Sequence, residues 1–431
     1  MKELVILGNS PAGFACVETL RREGFQGRVV IIPGDGETPY RRGMVPEFLS
    51  KSVPVDRVYC APVSRYETLN VQVCLKKVGR ISLKRQRLTM EDKEMIPFDC
   101  CLIDEYGWLP PEDMKGTSRN GFWLINRLDH IKAAIKQLLQ VDTVLVQSDS
   151  WNGLRTVAAL AAWNKEVIWV CSQDRVLASL VDPEISARIA AMLEKKGIRV
   201  LTENAITEVL GESDAKAARL KSGKILAAQM ILAESYSPDY RLLKDTELFV
   251  DGVLSPAGEH GATSCPNVFI AGRGEGLAAA LAASYNSYDD YLGEQGTAVA
   301  SQMLKKNTSP KPMVSQAEIN GPGFQLISVG HTGPWSGPAD EVYLRSDEAT
   351  DSYQKFYIRE GVLAGAVLIN AALSRYQALA LINSNKALSE EYLQNHGFER
   401  QPQFVQAADR ISLDDAGCLE SGQPCENAQN S

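Results

Sequence analysis

Short apolar runs alternate with amphipathic stretches along the first two thirds of the chain. Glu3 to Leu7 is apolar after its first residue, Gly8 to Gly13 is a glycine-bearing turn, a helical pattern runs to about Glu23, and Arg28 to Ile32 is apolar again. The same order recurs at Thr143 to Val146, Ser148 to Gly153, a helical stretch to Trp163, and Glu166 to Val170. Apolar strands alternating with helices of about ten to fifteen residues predict βαβ units and parallel sheets. The repetition predicts two Rossmann-like domains.

Farther on, Pro183 to Lys196 reads as an amphipathic helix and Arg199 to Thr202 as a strand. Met230 to Ala233 and Val268 to Ala271 are short apolar strands, Gly276 to Ser287 is rich in Ala and Leu, and Glu294 to Leu304 is helical. Lys305 to Pro312 is a charged linker. Phe324 to Val329, Glu341 to Leu344, Tyr353 to Arg359 and Leu363 to Ile369 then alternate like a small sheet, before a helix from about Ser374 to Asn383. The expected fold class is α/β, with two Rossmann-like three-layer domains and a C-terminal α+β domain. The expected boundaries are 1–112 with 235–304, 113–234, and 313–395, with a polar, poorly ordered tail over 401–431.

Composition narrows the class of protein. The 431 residues carry 53 acidic and 45 basic side chains, a net charge of −8, which argues against nucleic acid and against a polybasic membrane surface. No apolar run reaches about 18 residues, so no membrane span is expected. The N-terminus reads straight into a strand with no signal-peptide pattern, and the expected location is the cytoplasm. The nine cysteines form no C-x-x-C pair, and with four histidines they give no zinc or iron–sulfur spacing. The vicinal Cys100 and Cys101 should face opposite sides of a strand as core thiols. Cys418 and Cys425 lie in the tail.

The first turn carries the clearest chemistry. Gly8-Asn-Ser-Pro-Ala-Gly13 follows a strand and opens a helix, as a G-x-G-x-x-G dinucleotide fingerprint does. Gly8 makes the turn, Gly13 lets helix pack on strand, and phosphates meet the positive helix N-terminus near Pro11 and Ala12. Ser10 replaces the middle glycine, a mild change because its hydroxyl can itself bond a phosphate. Asp35, just past the second strand, is placed to accept from an adenosine ribose. A Rossmann unit that holds no ligand is the alternative.

Around this turn the sequence resembles the pyridine-nucleotide flavoprotein reductases, in the branch of rubredoxin and ferredoxin reductases and the flavin domain of nitrite reductase large subunits. The residues concerned are Val5 to Ser50 with Pro39-Tyr-Arg-Arg42 and Pro46-Glu-Phe-Leu49, Leu177 to Glu184, Thr263 to Gly272, Gln295-Gly296, and Tyr353 to Ile369. The resemblance implies FAD across Gly8 to Gly13, Asp35, Arg42 and Gly272-Arg273. It also implies a protein electron donor or acceptor, and leaves homodimerisation open. Disulfide-reducing relatives place a redox cysteine near where Arg42 and Gly43 stand here. This segment has none, so thiol-based reduction is not expected.

Against that family, four motifs differ. The second fingerprint aligns with Ser148-Asp-Ser-Trp-Asn-Gly153, so only its last glycine remains. Two serines add Cβ atoms, Asp149 adds a charge that repels phosphate, and the ribose-binding carboxylate falls on Cys171. Loss of a hydrogen bond to a charged group costs about 1.5–3 kcal/mol, so NADH should bind at least about tenfold more weakly from the last change alone. Trp151 is expected to fill the vacated space. The Ala-Thr-Gly crossover appears as Asp104-Glu-Tyr-Gly107, and Arg273 replaces the acid that meets the ribityl chain. Lastly, a family Lys–Glu pair beside the reactive flavin edge becomes Glu47 and Arg155, with signs exchanged. These two are the candidate catalytic residues, expected to pair and to shift the flavin potential.

Lys76, Lys77, Arg80, Lys84, Arg85 and Arg87 form a basic stretch in a predicted hairpin, either a dock for an acidic electron carrier or a solvated strand face. No histidine has partner spacing for catalysis. Two functions follow: an FAD-dependent electron-transfer oxidoreductase with weak or absent NAD(P)H use, or a non-catalytic relative kept as an interaction or ligand-sensing module.

Overall fold

The computed structural model describes residues 2–235, 239–250, 253–254, 261–272, 285–306, 314–321, 323–333 and 338–401. Strands β1 (Glu3–Gly8), β2 (Arg28–Ile32) and β3 (Val71–Val73) precede an antiparallel sheet of β4 (Val78–Ser82), β5 (Arg87–Met90) and β6 (Met95–Pro97). The chain then returns as β7 (Cys100–Asp104) to pair with β1, and the later β18 (Val268–Ala271) joins the edge. The resulting parallel sheet has the order β18-β7-β1-β2-β3.

The second sheet repeats this plan. Strands β8 (Phe122–Leu124), β9 (Thr143–Gln147), β10 (Glu166–Val170) and β11 (Arg199–Leu201) precede the antiparallel β12 (Ile206–Leu210), β13 (Ala217–Leu220) and β14 (Ile225–Ala227). The chain returns as β15 (Met230–Ala233), giving the parallel order β11-β10-β9-β15-β8. The duplication thus extends to the small antiparallel sheet inserted before each returning strand, which no periodicity had indicated for β12 to β14. After the β16–β17 hairpin (Phe249–Val250, Val253–Leu254), a C-terminal sheet of β19 (Gln316–Gly321), β20 (Phe324–Gly330), β21 (Glu341–Asp347), β22 (Ser352–Arg359), β23 (Val362–Ile369) and β24 (Glu399–Arg400) is wholly antiparallel.

Helices α1 (Pro11–Arg22), α2 (Val45–Leu49), α3 (Val63–Thr68), α4 (Leu128–Leu138), α5 (Trp151–Ala161) and α6 (Pro183–Lys195) precede α7 (Tyr285–Met303), α8 (Arg375–Ser384) and α9 (Glu390–Asn395). Helix α7 starts earlier than the pattern from Glu294 suggests; its apolar content is modest, and packing on α1 defines it. At that crossing a Cβ on Gly296 would lie 2.0 Å from the Ala12 carbonyl oxygen, so glycine is what lets the backbones meet. Helix α8 is entered through a Ser374–Gln377 capping box. No helix among the described residues is long and apolar enough to cross a membrane.

Both sides of each parallel sheet are covered. Cys100 belongs to the apolar layer with Leu4, Ile6 and α1, whereas Cys101 faces the layer with Val5, Leu7 and β4 to β6. The alternation expected of the vicinal pair is therefore met, and all seven cysteines among the described residues are free thiols. Trp151 packs into the large core shared by the second domain and the C-terminal sheet. Arg273, Gly276 to Ser284, Cys418 and Cys425 lie outside the described residues.

Candidate functional site

Open parallel sheets bind ligands at the carboxyl ends of their strands, where the strand order switches direction. In the first domain that place lies between β1 and β7, whose register sets Gly8 beside Asp104. Gly8 has φ +128°, and a Cβ there would sit 1.3 Å from the Asp104 carbonyl oxygen. The turn then enters α1 through Ser10, whose hydroxyl accepts from the Ala12 N–H at 3.1 Å, with Pro11 at the first helical position.

The Asp104 side chain reaches under this turn. One carboxylate oxygen accepts from the Ser10 N–H at 3.0 Å and the Gly13 N–H at 2.9 Å, and the other accepts from the Ser10 hydroxyl. Asp104 is fully buried, which pushes its pKa up, against the lowering effects of the Ser10 hydroxyl and Arg42. A Cβ on Gly13 would meet its Oδ2 at 2.6 Å.

Around Asp104 lies a buried charged cluster. Arg42, 1% exposed, approaches Glu105 at 3.3 Å and lies over the Tyr40 and Trp108 rings. Asp35 is where the fingerprint predicts it, but Oδ1 accepts from the Asn9 amide and the Glu37 N–H, and Oδ2 from the Tyr40 hydroxyl at 2.9 Å. The Gly272 N–H donates to Gln295 at 2.8 Å, and a Cβ on Gly272, at φ +84°, would meet Glu105 Cγ at 2.8 Å. Asp289, from α7, accepts from the N–H groups of Arg42 (3.1 Å) and Gly43 (2.9 Å).

Burial pushes Asp289 up to about 7, against the backbone N–H of Gly43 and the charge of Arg42, with Glu105 adding to the rise. An aspartate whose folded pKa is raised binds more protons folded than unfolded, so it makes stability fall as pH rises between about 4 and about 7. Asp289→Asn keeps one acceptor and removes the titration. It should be less stable at pH 5 yet lose less between pH 5 and 8 than the parent, as read by urea unfolding. Equal pH slopes would refute the assignment.

The second domain shows the same construction. Glu234 directly follows β15, whose Ala233 pairs with Gln147, so it stands beside Ser148 as Asp104 stands beside Gly8. Its buried carboxylate accepts from the hydroxyls of Ser148 and Ser150. Ser150 caps α5 through the Asn152 N–H (3.0 Å) and Gly153 N–H (3.3 Å), and the Ser148 hydroxyl accepts from the Ser150 N–H at 3.1 Å. Asp149 turns away and accepts from the N–H and hydroxyl of Ser172. Cys171 is fully buried, and burial pushes its thiol pKa up.

Glu47 and Arg155 do meet, with Nε 3.9 Å from Oε1. The firmer bonds of Arg155 run from its two Nη atoms to the carbonyls of Gly43 (3.1 Å) and Glu318 (2.9 Å), so it joins both nucleotide-type domains to β19. Burial lowers its pKa, opposed by Glu47, while burial raises the Glu47 carboxyl, opposed by Arg155.

A family model for the pyridine nucleotide-disulphide oxidoreductases matches residues 2–285. The chain belongs to that family. The ferredoxin reductase component of a chlorobenzene dioxygenase from Cupriavidus sp. (strain PS12) is 23% identical over 402 residues, covering 89% of this chain and 93% of that one. Nitrite reductase [NAD(P)H] of Bacillus subtilis (strain 168) is 21% identical, covering 90% of this chain and 48% of its own length. Among solved structures, a covalent putidaredoxin reductase–putidaredoxin complex superposes with a TM-score of 0.73 at 18% identity, over 91% of this chain and 95% of that one.

FAD is the cofactor that membership in this family supports, and Asn9 of the Gly8–Gly13 turn touches both Asp35 and Arg42. The arrangement described does not fit its pyrophosphate, however. Of the first-turn donors, those of Ser10, Ala12 and Gly13 are already bonded and Pro11 has none. An open cleft of about 810 Å³ lies nearby, lined by Glu37, Arg41, Arg57, Tyr59 and Leu75 among others, but by no residue of the Gly8–Gly13 turn.

Asp104 and Glu234 are the residues that motif reading missed as site groups. A signal was present: Cys-Cys-Leu-Ile-Asp104 and Met-Ile-Leu-Ala-Glu234 each end four apolar strand residues on an acid. The carboxylates fall where a returning strand reaches the nucleotide helix.

Proposed function

We propose that this chain is a member of a protein electron-transfer system of the ferredoxin reductase kind that makes weak or no use of NAD(P)H. The observation behind this reading is the Glu234 carboxylate held by Ser148 and Ser150 at the N-terminus of α5. A dinucleotide's pyrophosphate needs that helix end free of other anions. The absence of a carboxylate at Cys171 removes the ribose contact as well. Relatives named as ferredoxin reductases, and the reductase–putidaredoxin complex, support a protein partner. In this reading Glu47 and Arg155 hold the two nucleotide-type domains and β19 in register.

Calorimetric titration with NADH and NADPH tests it. The parent should bind either only in the millimolar range. Ser148→Gly, Ser150→Gly and Glu234→Ala combined should tighten binding at least about tenfold, since a charge-assisted contact is worth about 1.5–3 kcal/mol. Micromolar binding by the parent would refute the proposal. A second reading, an interaction or ligand-sensing module without redox turnover, is favoured by the parallel carboxylate in the first domain.

A further inference from the structure

We infer that Asp104 is a built-in substitute for the pyrophosphate of the first nucleotide site, so that FAD enters only when this carboxylate leaves the N-terminus of α1. The inference shares the Glu234 observation with the NAD(P)H reading, but its test is FAD binding at the first domain, which can fail while that reading stands.

Four observations support it. Asp104 takes the N–H groups of Ser10 and Gly13 and the Ser10 hydroxyl, the donors at the positive helix end that would otherwise meet phosphate. It is fully buried, so its charge is poorly screened against a second anion at the same place. The other two contacts expected of FAD are also taken: Asp35 is bonded through both oxygens, and Arg42 is paired with Glu105. Finally, a buried carboxylate stands at the equivalent register position of the second domain, where Glu234 takes the Ser148 and Ser150 hydroxyls and Ser150 in turn takes the helix N–H groups. An isolated capping carboxylate would be unremarked on any one helix. A buried carboxylate beside both nucleotide helices, each time from the returning strand, is what points to replacement of a ligand.

The substitution also explains why the turn keeps its geometry without depending on a bound nucleotide. Gly8 and Gly13 are needed for the close passage of Asp104 itself, since Cβ atoms there would strike its carbonyl and its carboxylate. A fingerprint can therefore persist in sequence while its donors serve the chain.

The test is FAD binding by the full chain. Flavin content after purification with added FAD, and affinity from quenching of flavin fluorescence, would be measured for the parent, Asp104→Ala and Asp104→Asn. The parent should retain well under one flavin per chain. Asp104→Ala should bind FAD at least tenfold more tightly, and Asp104→Asn, which keeps an acceptor but loses the charge, should fall between them. A parent that holds stoichiometric FAD through gel filtration would overturn the inference, as would folded Asp104→Ala with unchanged affinity. Should neither variant fold, exchange of the Ser10 and Gly13 amides in the parent decides: strong protection without FAD upholds the internal cap, and rapid exchange sinks it.

Discussion

Gly8→Ala should yield no soluble folded protein. The substituted Cβ would lie 1.3 Å from the Asp104 carbonyl oxygen and 2.2 Å from its carbon, and these are backbone atoms that no side-chain rotation can move. Relief requires β1 and β7, two inner strands of the five-stranded sheet, to separate at Gly8↔Asp104, the last pair of their register. The φ of +128° adds strain of its own for an L residue. Core overlap of this kind belongs with the exceptional losses above about 4–5 kcal/mol, against a total stability of about 5–15 kcal/mol. Gly24→Ala is the control: φ is +88° but the added Cβ meets nothing within 4 Å. That variant should express normally and lose only about 1–2 kcal/mol. Soluble yield and thermal unfolding by circular dichroism separate the two, and a folded Gly8→Ala protein would show that the strands part more easily than their register implies.

Much of this architecture was legible in the chain. The strand–turn–helix–strand repeat gave both parallel sheets because apolar runs bounded by turn residues carry their own period. The C-terminal sheet was legible for the same reason. What periodicity could not supply was the fate of individual donors. Asp35 accepts from Asn9 of the turn and from Tyr40, and the Ser10 and Gly13 amides bond to Asp104, which lies more than ninety residues farther along the chain. Asp104 was visible as a departure from the crossover motif; that its carboxylate faces Gly13 depends on the β1–β7 register. Asp289 comes from a helix 247 residues beyond Arg42, which no local pattern joins to it. The sign-exchanged pair Glu47 and Arg155 was the exception, because both members sit at fixed offsets from recognisable motifs and do approach within 3.9 Å.

The same cluster makes Arg42 the side chain whose loss should matter most after Gly8. It is 1% exposed, paired with Glu105 at 3.3 Å, and stacked on Tyr40 and Trp108. Burial alone would weaken its hold on the proton, but Glu105, Tyr40, Asp35 and Asp104 more than offset this and its pKa is raised. Arg42→Met preserves most of the volume and the apolar stem while removing the charge. Glu105, Asp104, Asp35 and Asp289 would then share a buried site without the guanidinium, and breaking a buried pair from one side costs about 3–5 kcal/mol. The sign of the pH dependence follows from the same groups. Burial already raises Asp35, Asp104 and Asp289, and removing Arg42 raises them further, so the variant must take up protons on folding. Its deficit should therefore be largest at pH 8 and shrink toward pH 5 as these carboxyls take up protons. Adding Glu105→Leu to Arg42→Met removes one of the stranded anions and should restore part of the loss, with a coupling energy of about 0.5–3 kcal/mol in a double-mutant cycle. Urea unfolding of the four proteins at pH 5 and pH 8 gives all of these quantities. A deficit for Arg42→Met below about 1 kcal/mol at pH 8 would mean that water reaches the cluster, because only hydration could then stabilise the remaining carboxylates in place of the guanidinium.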